Sequence, residues 1–195
     1  MDLKGIFEQP EDHQAVYREE PLLLVCVNGR RDRCCALHGM PVFNALREAT
    51  SKSTTPVVWQ CTHLGGHRFA TNMLVLPLGL LYGRVDSNSA FEILRSARTN
   101  SVYLPNLRGR TAYMSAVQVA DYFLRQQTGE MSLKAFEFID AQEIGDSAWT
   151  VTFEQPDHGQ SYRLKVLAEE TSVEVYESCQ LDKTTRLVRF AVSML

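Results

Sequence analysis

The sequence predicts an α/β protein: a layered unit over residues 1–129, followed by a small, mostly β (α+β) unit over 130–195. Three observations carry this. Short apolar runs alternate with segments of helical spacing as far as residue 127. After Gly129 the helical spacing gives way to polar–apolar alternation. A length of 195 residues suits one good core with a small unit appended.

Residues 1–20 are polar and read as an irregular lead-in or edge element. Leu22-Leu23-Leu24-Val25-Cys26-Val27 is a continuous apolar run closed by Asn28-Gly29, the pattern of a buried strand ending in a turn. Across 41–51, Val42, Leu46 and Ala49 recur at helical spacing and Pro41 suits the first helical position, so a helix is expected there. Val57–Cys61 reads as a strand, and the Gly65-Gly66 pair makes the next segment a loop. Asn72–Pro77 and Leu80–Arg84 read as a hairpin about Leu78-Gly79. Asp86, Ser87 or Ser89 can cap the helix that follows. A loop containing Pro105 and Gly109 leads to a helix over Tyr113–Gln127, with Val117, Ala120, Phe123 and Leu124 on one face. In the second unit Phe136–Ile139, Trp149–Phe153, Tyr162–Leu167, Val173–Tyr176 and Leu187–Val192 read as strands, with Trp149, Phe153, Tyr162 and Tyr176 as core or sheet-face residues.

Composition narrows the function. Hydrophobic residues make up 45%, charged residues 22%, and the net charge is −3 with no long basic block. Nucleic-acid binding is not expected. The longest apolar stretch, Met73–Val85, is broken by Pro77, Gly79 and Gly83 and is too short to span a bilayer. The polar start lacks the apolar region of a secretory signal, so a cytoplasmic protein with no membrane partner is expected.

The chemistry lies in cysteines and histidines. Of five cysteines, Cys26, Cys34, Cys35 and Cys61 cluster, which points to metal binding or redox chemistry rather than a secreted disulfide framework. Cys179, near the end of a strand, reads as a small buried hydrophobe. Cys26 and Cys35 flank a loop rich in arginine, where Arg30, Arg31 and Arg33 favour thiolates. His63 and His67 lie on the next loop. Each pair follows a buried strand, and adjacent parallel strands would bring both loops to one sheet edge. Two cysteines with two histidines suit structural zinc or a Rieske-type [2Fe–2S] centre, and ligand chemistry alone leaves the metal open.

LLLVCVNGRRDRCCALHG and VVWQCTHLGGHRFATNMLVLPLGLLYGRV, with Leu107-Arg-Gly-Arg110 more loosely, resemble the sucrase/ferredoxin-like family of thioredoxin-like [2Fe–2S] ferredoxins. The resemblance implies a thioredoxin-like fold over the first unit. It implies a [2Fe–2S] cluster held by Cys26, Cys35, His63 and His67, with Arg31-Asp32 selecting Cys35 over Cys34 as the second cysteine. Arg31, Asp32, Thr62 and Asn72 become candidates for orienting the ligands. The expected role is electron transfer to an unidentified redox partner protein, an electron carrier more than an enzyme. A carboxylate pair in a context of glycoside hydrolysis is not found. The alternatives are a thioredoxin-like thiol redox protein using Cys34 or Cys35, or a zinc-bound or metal-free binding module. The C-terminal unit offers no legible chemistry.

Overall fold

The computed structural model describes residues 20–30, 32–53, 57–180 and 182–195. Most of the lead-in expected over 1–20, and Arg31, lie outside the described residues.

Strand β1 (Leu22–Cys26) is central to the first sheet. Leu23 and Val25 point into the core and are fully buried, each contributing about 1.5–3 kcal/mol through lost apolar exposure. Helix α1 spans Arg33–Ala49. It starts eight residues before the proline that was expected to open a helix over 41–51. The reason is Asp32, whose carboxylate accepts from the Cys34 amide at 2.9 Å and caps the helix. Pro41 therefore lies inside the helix. Cys35 sits in the first helical turn, not on a loop.

Strand β2 (Val58–Cys61) runs parallel to β1, with Cys26 opposite Cys61 at the carboxyl ends. Strand β3 (Met73–Leu76) pairs antiparallel with β1, and β4 (Leu80–Tyr82) antiparallel with β3. Helix α2 (Ser87–Arg98) opens on a capping box: Asp86 accepts from the Ser89 amide, and the Ser89 hydroxyl contacts the Asp86 amide. Leu107–Arg110, read in sequence as loop, is strand β5 on β4. Its two arginines and a glycine mask the strand pattern. The order β2-β1-β3-β4-β5, with β3 opposed to its neighbours, is a mixed sheet of thioredoxin-like type.

Helix α3 (Ser115–Thr128) turns Ala116, Val117, Ala120 and Leu124 into a second apolar cluster, shared with Phe136, Val151, Phe153, Leu164 and Val166. That cluster backs an antiparallel sheet of β6 (Glu137–Gly145), β7 (Ala148–Gln155), β8 (Gln160–Tyr176) and β9 (Thr184–Met194). Four strands replace the five expected. The segments 162–167 and 173–176 are one strand, with a register shift between Glu170 and Glu174 where polar residues hide its continuity. Of the core or sheet-face places expected for it, Tyr176 takes the sheet face, 62% exposed at the far end of β8. Among the described residues, no helix is long and apolar enough to cross a membrane.

Candidate metal centre

The site forms where β1, β2 and α1 meet. Parallel pairing puts Cys26 and Cys61 side by side. Gly39 then lets α1 come close: a Cβ there would stand 2.3 Å from the Cys26 carbonyl oxygen. Cys35 lies one helical turn before Gly39, on the same face. This close approach carries Cys35 to Cys26, and both are buried.

The three thiols share charge. The Cys61 thiol hydrogen-bonds to Cys26 and, against the effect of burial, holds it down to about 5; amides of Leu64 and Asn28 and the Cys35 thiol assist. Burial, followed by the negative Cys26, pushes Cys35 up to about 12. The hydrogen bond to Cys26 and burial likewise push Cys61 up. One thiolate thus sits among two neutral thiols.

Cys35 Sγ lies 3.5 Å from His67 Nδ1, and the protonated thiol can donate to that nitrogen. His67 opens a 3-10 turn, His67–Phe69, and its Nδ1 is also 4.0 Å from the buried Asp32 carboxylate. His63 stands beside it, ring centroids 5.0 Å apart, and faces solvent. The four residues singled out in the sequence are therefore brought together as a chain of neighbours: Cys26, Cys35, His67, His63.

The loop carrying the histidines is held from behind. Gly65 and Gly66 both adopt positive φ, which side chains rarely tolerate. Asn72, buried, donates to the Gly66 carbonyl at 2.9 Å, and Arg108 donates to Asn72 Oδ1 at 2.9 Å. The Arg108 guanidinium lies over the Phe69 ring at 4.7 Å. Asn72 was legible as a supporting residue. Arg108 was missed, although it stands in the Leu107–Arg110 segment. Thr62 is exposed and stands outside the hydrogen bonds that hold the histidine loop.

Two readings of the C-terminal unit are corrected. Cys179 is not a buried hydrophobe; it is exposed and joined in a disulfide to Cys34, 145 residues away, with Cα atoms 6.5 Å apart. Nor is the unit chemically silent. The segment after β8 folds against Asp32, where the Ser178 hydroxyl and the Cys34 and Cys179 amides outweigh burial and hold the carboxyl below its usual range. Ser178 and Gln180, with Glu177 and Thr185, wall a cleft of about 620 Å³ that also exposes His63, His67, Arg68 and Arg108. Such a long-range pairing leaves no mark in local sequence pattern.

The sucrase/ferredoxin-like family model matches residues 3–109, more than half of the chain. The chain belongs to the sucrase/ferredoxin-like family. Among relatives of the sucrase/ferredoxin-like chain, altered inheritance of mitochondria protein 32 from Candida glabrata is 29% identical over 112 residues. That match spans 50% of this chain and only 36% of the yeast protein. The wild-type thioredoxin-like [2Fe–2S] ferredoxin from Aquifex aeolicus covers 42% of this chain and 88% of its own, at 22% identity and a TM-score of 0.36. A cysteine-to-serine variant of that ferredoxin covers 39% and 84%, at 23% identity and a TM-score of 0.34.

Proposed function

We propose that this family member is an electron-transfer protein that holds a [2Fe–2S] cluster on Cys26, Cys35, His63 and His67. The observation that carries the reading is the approach of Cys35 Sγ to His67 Nδ1 at 3.5 Å, which joins the cysteine pair to the histidine pair. The donor chemistry fits such a group. Cys26 is held as a thiolate, and Cys35 is kept neutral by burial and by that charge, an imbalance a cationic centre relieves. Two thiolates and two imidazoles form a Rieske-type ligand set, and the bound group would supply one-electron chemistry at a raised potential.

The chain's own residues do the rest. Asp32 faces the His67 ring and orients it. Asn72 and Arg108 fix the Gly65-Gly66 turn between the histidines. His63 reaches solvent and gives a redox partner protein its closest approach. A reducing, cytoplasmic setting suits the free thiols of Cys26, Cys35 and Cys61.

A second reading has one observation in its favour. The Cys61 thiol hydrogen-bonds to Cys26, so the donor types of a Cys₃His structural-zinc set, Cys26, Cys35, Cys61 and His67, stand side by side, and zinc would have to draw them to one point. Visible and EPR spectra with metal analysis on anaerobically purified protein separate the two. A coloured protein with a reducible S = 1/2 signal, lost in His67→Ala, supports the cluster. A colourless protein holding stoichiometric zinc overturns it.

A further inference from the structure

We propose that Cys34 and Cys179 are a working dithiol–disulfide couple, a second redox function that exchanges electron pairs with an external dithiol. The pair lies beside the metal ligands, yet its own geometry carries the proposal. The two residues are bonded in the structure. Cys179 is exposed, whereas its partner Cys34 is half-buried at the start of α1. An incoming thiol therefore meets Cys179. The approach is open, because a cleft of about 470 Å³ is lined by Cys34, Cys179, His38 and Tyr176.

The fold keeps the two sulfurs in reach of each other without help from the bond. Asp32 accepts from the Cys34 amide at 2.9 Å and from the Cys179 amide at 3.3 Å, so one buried carboxylate anchors both cysteines. It is the N-cap of α1, fixed by the fold of the first unit. Once opened, the pair stays aligned to close again. In the reducing compartment expected from the sequence, an exposed disulfide is a transient working bond rather than a permanent staple.

A thiolate of the external dithiol attacks Cys179 Sγ, forming a mixed disulfide. The Cys34–Cys179 bond breaks, and its electron pair leaves on Cys34 Sγ, in the first turn of α1. The second thiolate of the dithiol then attacks its own bridging sulfur and releases Cys179 as thiolate. The dithiol becomes a disulfide, the protein pair is reduced by two electrons, and the two protons lost by the dithiol are taken up by Cys34 and Cys179 from solvent.

The test is a redox titration of the full chain in mixtures of reduced and oxidised dithiothreitol, with acid quench, differential alkylation and peptide mapping. Its readout is thiol labelling, so it stands whether or not the neighbouring metal reading holds. Labels at Cys34 and Cys179 are expected to rise together, with one two-electron midpoint, while the far-UV circular dichroism stays folded. Oxidised glutathione should trap a mixed disulfide on Cys34→Ser at Cys179, and on Cys179→Ser roughly tenfold more slowly at Cys34. Independent titration of the two positions would overturn the proposal. So would a bond that stays closed in folded protein under excess reductant, equal trapping rates, or a reduced pair that binds Zn²⁺ through Asp32, Cys34 and Cys179 and no longer reoxidises.

Discussion

Arg108 donates to Asn72 Oδ1 while Asn72 donates onward to the Gly66 carbonyl, so a strand on one side of the sheet fixes the turn between two histidines. In the proposed metal centre, neither side chain needs to touch the metal to govern its retention. Asn72→Ala and Arg108→Ala are each expected to weaken metal binding by about 10–100-fold, as outer partners of ligands commonly do. Chelator competition followed by metal analysis checks this. Unchanged retention in both variants would remove the supporting role.

Adjacent cysteines at the start of α1 should behave oppositely. Cys35 faces Cys26 and His67, and Cys34 faces Cys179. On the proposed ligand set, Cys35→Ser is expected to abolish the visible spectrum of the cluster, while Cys34→Ser keeps the metal. Absorbance per chain and iron content read the difference, and the reverse pattern would assign the ligand to Cys34.

Gly39 sets how near α1 comes to the end of β1. A methyl group at this position collides with the Cys26 carbonyl. Gly39→Ala is expected to cost about 1–3 kcal/mol through overpacking and to pull Cys35 away from Cys26. Denaturant unfolding should show the lost stability, and metal content should fall with it. A variant as stable and as metal-loaded as the parent would mean that α1 adjusts freely.

Asp86 gives the fold a pH dependence remote from the site. Hydrogen bonds from the Ser89 amide and hydroxyl hold its carboxyl below the ordinary value of 3.8. A carboxyl depressed by folding contributes fully above its unfolded value, and that contribution fades as pH falls through the lower folded one. Asp86→Ala is therefore expected to lose about 1 kcal/mol at neutral pH. The gap between parent and variant should narrow below about pH 4. Urea midpoints at pH 7 and pH 3 check both parts.

The Cys34–Cys179 bond closes a loop of 145 residues. Chain entropy alone assigns such a closure about 5 kcal/mol, an upper figure because native geometry absorbs part of it. Reduction should lower the unfolding midpoint of the parent and leave Cys34→Ser/Cys179→Ser unmoved. Identical midpoints with and without reductant would show that the bond adds nothing.

Much of the first sheet was legible because buried parallel strands write continuous apolar runs, as at Leu22–Val27. The convergence of Cys26 with Cys61 follows from that pairing. The start of α1 was not legible, because its first turn spends its residues on Asp32, Cys34 and Cys35 instead of a periodic apolar face, and Pro41 imitates a beginning. Strand β5 was hidden for a related reason: Arg108 and Arg110 face the histidine loop and Tyr113 rather than the core. The partnership of Cys34 with Cys179 depends on tertiary closure, which no local spacing encodes.

Strand β8 begins in the second apolar cluster, at Leu164 and Val166, and ends beside the histidines of the first unit. Its 17 residues make it a boom of roughly 55 Å whose length decides where Ser178 and Cys179 land. Because successive side chains alternate faces, removing a single residue from its outer half would swing Cys179 away from Asp32. Domain-swap and truncation designs must therefore conserve the span of β8 in residues, since its reach is what delivers Ser178 and Cys179 to Asp32.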